Sequence, residues 1–173
     1  MPNHSIAIIV YSASCIKAAR AKYDSYSSDW EKAYFDEKSG GFNVNNKDHE
    51  FSNTGGGGKA EKTIGIILAN SGKKVEFLPE GKGKMPDLYF DGHTWEVKYI
   101  NNANIKTIRG YIEHARRKKA ENVIFYWDIY NKSEDLINTV ARESGRLQKL
   151  GRINEMPDIY YIDKTGLKLL WKK

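Results

Sequence analysis

The dipeptide Asp91-Gly92, set between two short runs of alternating polar and apolar residues, constrains this chain more than any other feature. Asp-Gly suits a two-residue type I′ turn, so Asp87–Phe90 and Trp95–Tyr99 are expected to be the strands of a β-hairpin. With Asp91 and Gly92 as the turn, Phe90 pairs with His93, Tyr89 with Thr94 and Leu88 with Trp95, and Asp87 falls opposite Glu96. Side chains alternate faces along a strand. Asp87, Glu96 and Lys98 therefore share one face, while Leu88, Phe90, Trp95 and Val97 point to the core.

Like charges directly opposed across a ladder, with Cβ atoms about 5 Å apart, destabilise a hairpin. At an effective dielectric near 20 the repulsion is on the order of 3 kcal/mol unless something offsets it. A divalent cation between the carboxylates would do so, with the Lys98 ammonium assisting. Hard oxygen ligands hold Mg²⁺ with several waters still attached, such an ion activates water and stabilises charge on a phosphate, and a lysine beside that water can orient it or share its proton. The same residues also describe an ordinary hairpin with charged side chains on its wet face.

At 173 residues, with 40% hydrophobic and 29% charged, the chain is long enough and apolar enough to bury a normal core. Its net charge is +6 and its pI near 9.2. The basic residues cluster at Lys82 and Lys84, at Arg116 to Lys119, and at Lys168, Lys172 and Lys173, a pattern that suits a polyanionic partner. The single cysteine, Cys15, excludes an intramolecular disulfide and a thiolate zinc cluster. His4, His49, His93 and His114 are spread along the chain, which argues against structural zinc. The apolar run Ile6–Tyr11 is too short to span a bilayer.

In chain order, helical spacing predicts one helix around Ser14–Lys22 and a second around Asp29–Asp36, and Asp36–Phe51 reads as turn, short strand, turn. Ser52–Gly58 is a glycine-rich connector. Lys59–Asn70 is expected to be a helix stopped by Ser71-Gly72, with Glu61 and Gly65 one turn apart and the glycine leaving space beside the carboxylate. Lys74–Leu78 alternates as a strand, and Asn104–Lys119 is a helix with Ile105, Ile108, Ile112 and Ala115 facing inward. Lys106 and Arg109, near its start, and Lys84, in the loop before the hairpin, are the candidates for holding substrate phosphates. Val123–Trp127 reads as a strand buried on both faces. A helix over Ser133–Leu150 and a strand pair, Asp158–Ile162 and Leu167–Trp171, close the chain. Met156-Pro157-Asp158 echoes Met85-Pro86-Asp87, yet the strand after it carries no carboxylate, so Asp158 is structural.

Pro86-Asp87, eight residues, then Glu96-Val97-Lys98 resembles the motif of the PD-(D/E)xK nuclease superfamily. The order helix, three strands, helix, strand from Lys59 to about Asp128 is similar to that superfamily's core. The resemblance implies an α/β fold with a mixed central sheet flanked by helices over residues 55–173. Residues 1–54 would be an α-rich, aromatic-rich extension with a short hairpin. It implies that Asp87, Glu96 and the Val97 backbone carbonyl bind Mg²⁺ or Mn²⁺, that Lys98 serves the attacking water, and that Glu61 supplies a further acid from the helix. Within the superfamily, Ala60–Glu80 followed by Pro86-Asp87 and Trp95-Glu96-Val97-Lys98 resembles the C-terminal nuclease toxin domains of contact-dependent growth inhibition and other polymorphic toxins, and also domains attached to phage head proteins. Many such toxin domains resemble tRNA-cleaving enzymes held inactive by an immunity protein. The implied partners are therefore RNA, with DNA second, and a cognate immunity protein. The implied place of action is the cytoplasm of a target cell, after delivery within a larger secreted protein.

Overall fold

A computed structural model of the chain describes residues 11–51, 57–81, 85–127, 133–163 and 166–173. The expected phosphate ligand Lys84, with Lys82, residues 6–10 of the apolar run, residues 52–56 of the connector and the 54/55 boundary lie outside the described residues.

The Asp-Gly turn forms as expected. Asp91 and Gly92 adopt φ of 52° and 82°, and β4 (Leu88–Phe90) pairs with β5 (His93–Tyr99) in the register Leu88↔Trp95, Tyr89↔Thr94, Phe90↔His93. Around this hairpin the described strands form one sheet whose spatial order follows the chain. β1 (Trp30–Phe35), β2 (Phe42–Asn46) and β3 (Lys74–Phe77) precede it, and β6 (Asn122–Tyr126), β7 (Asp158–Asp163) and β8 (Gly166–Trp171) follow it. The pairs β2/β3, β5/β6 and β6/β7 are parallel and the others antiparallel, so the sheet is mixed.

Each parallel step is bridged by a helix. α2 (Gly57–Asn70) links β2 to β3, α3 (Ile105–Arg117) links β5 to β6, and α4 (Ser133–Lys149) links β6 to β7. The N-terminal α1 (Ala13–Asp24) is capped by Ser12, whose hydroxyl accepts from the Cys15 N–H. Asn104 caps α3 through the Thr107 N–H. Ile64 and Leu68 of α2 pack on Val75, Phe77, Leu88, Phe90, Trp95 and Val97. Ile108 and Ile112 of α3, with Leu136 and Val140 of α4, pack on Val123, Phe125 and Ile159. Val97 pairs with Ile124, and Glu96 with Val123. The two helix layers therefore cover opposite faces, and Glu96 and Lys98 lie on the face under α3. The charged face of the hairpin is thus a second interior.

Three expectations are corrected. The segment Asp29–Asp36 is not a helix. Its aromatic spacing serves β1, where the register shifts between Lys32 and Tyr34. This bulge adds a residue to the strand, so Trp30 and Phe35, five apart, both pack against Tyr23, Phe42 and Val44. Because β2 pairs directly with β3, the N-terminal segment contributes two strands to the main sheet and one described helix, so it is less helical than expected.

Gly65 does not make room for Glu61. A Cβ there would stand 2.5 Å from Asn43 Nδ2 and 2.9 Å from the Phe77 ring, so the missing side chain lets α2 approach β2 and β3. Gly65→Ala is expected to cost about 2 kcal/mol by overpacking, measured by urea denaturation. Among the described residues no helix is long and apolar enough to cross a membrane.

Candidate active site

The β4/β5 ladder ends at Leu88↔Trp95, and Asp87 begins where it stops. Its Oδ2 accepts the Val97 N–H at 2.7 Å, which takes the place of a strand partner and fixes the carboxylate against β5. Asp87 is 5% exposed and Glu96 0%. The two carboxylates converge on one ammonium: Lys118 Nζ, at the C-cap of α3, lies 2.8 Å from Asp87 Oδ1 and 3.2 Å from Glu96 Oε2. Lys98 Nζ donates to Glu96 Oε1, and His114 Nδ1 lies 3.1 Å from the same oxygen. Lys118 is close enough to Glu96 Oε2 to form an ion pair, and this buried oxygen has no other polar partner. Between the two acids the structure places a lysine ammonium.

Burial, and then the charge of Asp87, push the Glu96 carboxyl up to about 7, against the pull of Lys98 and Lys118. Burial opposes the Lys118 ammonium, but Asp87 and Glu96 outweigh it and raise its pKa. Burial, and then Lys98 and Lys118, lower the His114 pKa against the opposing pull of Asp87. The sign for Glu96 is the reverse of an ordinary paired carboxylate. The native state binds its proton more tightly than the unfolded chain does, so the contribution is full below about pH 4.5 and is lost as pH rises through about 7. This Glu96 contribution, on the order of 3 kcal/mol, is expected to be lost across that window. Glu96→Gln should flatten this fall in urea denaturation at a series of pH values.

The donor set fits a hard divalent cation. Two buried carboxylates face one point, and one of their oxygens lacks a hydrogen bond. The N–H and C=O of a strand residue point to the same edge, so the Val97 carbonyl is directed to the Asp87 side as its N–H is. Among the described residues no three His, Cys, Asp or Glu side chains cluster closely enough to hold a metal by themselves, so the carbonyl and water would complete the coordination.

The other expected residues are placed as follows. Glu61 is buried on α2, and its Oε2 lies 3.5 Å from His49 Nε2 with neither atom hydrogen-bonded. His49 Nδ1 is held at 2.8 Å from the Leu78 carbonyl. Burial disfavours the imidazolium, but Glu61, the Leu78 carbonyl and the charge of Asp87 outweigh it and raise the His49 pKa. Glu61 thus faces His49, on the helix layer opposite the one that covers Glu96. Lys106 is exposed on the first turn of α3. Arg109 is committed elsewhere: its Nε donates to the buried Glu143 at 3.0 Å, beside Arg146. Sequence reasoning missed Lys118, His114 and His49. His114 and Lys118 are one turn apart, on the flank of the stripe formed by Ile108, Ile112 and Ala115. That spacing was the available signal for α3; nothing comparable marked His49.

The fold has a counterpart among solved structures. It is similar to a chain of the CdiA-CT/CdiI toxin and immunity complex from Burkholderia pseudomallei, with a TM-score of 0.51 and 16% identity, over 73% of this chain and 96% of that one. At that identity the likeness is one of fold. No protein-family model matches the chain, and no curated protein matches it by sequence.

Proposed function

We propose that this chain is a metal-dependent nuclease of the toxin type, hydrolysing phosphodiester bonds in RNA, with tRNA the favoured substrate and DNA the alternative. The observation that carries the reading is the pair of buried carboxylates, Asp87 and Glu96, held convergent at the end of a hairpin with Lys98 against Glu96. Mg²⁺ or Mn²⁺, when bound, supplies an activated water and stabilises charge on the phosphate.

Asp87 and Glu96 would hold the ion, with the Val97 carbonyl as a third oxygen. Asp87 is kept in place by the Val97 N–H, so its other oxygen stays directed to the site. Lys98, one side-chain repeat beyond Glu96 on the same face, would orient the attacking water or share its proton. Glu61 would act from α2 through His49. Lys106, Lys84 and the net charge of +6 would attract the polyanion; Arg109 could join them only by leaving Glu143.

The toxin and immunity pairing in the structural neighbour supports a cognate immunity protein as partner. It also supports delivery within a larger secreted protein, with action in the cytoplasm of the recipient. A second reading has one observation in its favour. Lys118 already bridges the acid pair, as it would in a nucleic-acid-binding module that kept the fold without catalysis.

Incubation of purified protein with tRNA and with plasmid, in Mg²⁺ and in chelator, separates these readings. Discrete tRNA fragments that disappear with chelator support the nuclease. Salt-sensitive binding to both nucleic acids without turnover supports the binding module.

A further inference from the structure

At the acid pair two carboxylates, Asp87 and Glu96, meet two ammonium groups, Lys98 and Lys118, with the His114 ring also against Glu96. A divalent ion added to this set would sit beside two buried like charges, in a place where charge interactions are poorly screened. One ammonium has to leave. Lys98 is two residues from Glu96 on the same strand and contacts only that carboxylate, so it does not lie between the acids. Lys118 does, touching both. It is the last-turn cap of α3, its side chain is 15% exposed, and its flexible four-carbon stem gives it a route to solvent.

We infer that Lys118 is a positioning residue that occupies the metal's place, holding Asp87 and Glu96 convergent until a divalent cation displaces its ammonium. The inference rests on the nuclease reading of this site. It explains how two buried carboxylates stay together in the metal-free chain, where an unpaired buried charge is strongly destabilising. It also makes metal affinity a competition. The ion binds the fraction of molecules in which Lys118 has swung out, and the observed affinity is reduced by that fraction. A merely structural lysine would stabilise the fold without affecting metal affinity in this direction.

The test is calorimetric titration of Mn²⁺ and of Mg²⁺ into the full chain, for the wild type, Lys118→Met, Lys118→Arg and a Glu96→Ala control, with thermal midpoints recorded in chelator and at saturating metal. Lys118→Met is expected to bind metal about tenfold more tightly than wild type. Its midpoint should fall below the wild type in chelator, and metal should close most of the gap. Lys118→Arg, whose planar fork can engage both carboxylates at once, is expected to bind metal several-fold more weakly, and this serves as the readout should Lys118→Met fail to fold. Unchanged or weaker binding by a folded Lys118→Met, or unchanged or tighter binding by Lys118→Arg, overturns the inference. In that event, metal binding by the wild type that Glu96→Ala abolishes still leaves the nuclease reading standing. Absence of metal binding in the wild type and both lysine variants overturns the two together.

Discussion

Asp87→Asn is expected to fold like the wild type and to cleave tRNA in Mg²⁺ about a thousand-fold more slowly, a loss of about 4 kcal/mol in transition-state stabilisation. The fold should survive because an amide oxygen can still accept the Val97 N–H, the bond that fixes the start of β4 against β5. The charge should not. Asp87 Oδ1 is one of the two oxygens that meet at Lys118, and an amide there leaves the proposed metal with one anionic ligand. Single-turnover cleavage at saturating RNA, alongside circular dichroism, checks both halves. Lys98→Ala should act on the same assay without weakening metal binding, because Lys98 faces the water and not the ion in this reading. Cleavage by Asp87→Asn at the wild-type rate would move the active site elsewhere.

Trp95→Ala should be the most damaging of the structural substitutions, at about 4 kcal/mol, which for a domain of this size lowers the thermal midpoint by about 10 °C. Trp95 is 3% exposed. Its ring stacks on Phe90 with centroids 4.3 Å apart and planes 11° apart, and it leans on Tyr160 at 4.9 Å. Its Nε1–H donates to the Phe90 carbonyl at 3.2 Å. Removing it opens a cavity between α2 and the sheet and loosens the residue pair that sets Glu96 opposite the end of β4. Trp95→Phe should recover most of the loss, since the stacked ring remains and only the indole donor is missing. Thermal melts of the three proteins measure this, and a midpoint within a few degrees of wild type for Trp95→Ala would contradict the packing account.

The hairpin could be read from the sequence because its information is local. Asp91-Gly92 determines the turn, the turn determines the register, and the period of two then puts Asp87, Glu96 and Lys98 on one side. The stop at Ser71-Gly72 is local in the same sense. What the sequence hid depends on residues far apart in the chain. Trp30 and Tyr34 look helical because they stand four positions apart, and only the pairing of β1 with β2, with its bulge, shows them to be strand residues. Gly65 looked like space for the carboxylate one turn away, but its true neighbours are Asn43 and Phe77 on other elements. The face carrying Glu96 reads as solvent-exposed until α3 folds over it and brings His114 and Lys118 down onto the carboxylates. The histidines are scattered in sequence, yet His114 contacts Glu96 and His49 faces Glu61.

In the proposed function, Asp87 and Glu96 face each other in order to hold a divalent cation. The direct measurement is a crystal structure of the full chain grown with Mn²⁺, with anomalous data collected at the manganese edge. The account predicts one strong anomalous peak about 2.1 Å from a carboxylate oxygen of each residue, with the Lys118 ammonium turned away. A structure at saturating Mn²⁺ with no peak there, and Lys118 still bridging the two acids, would contradict it.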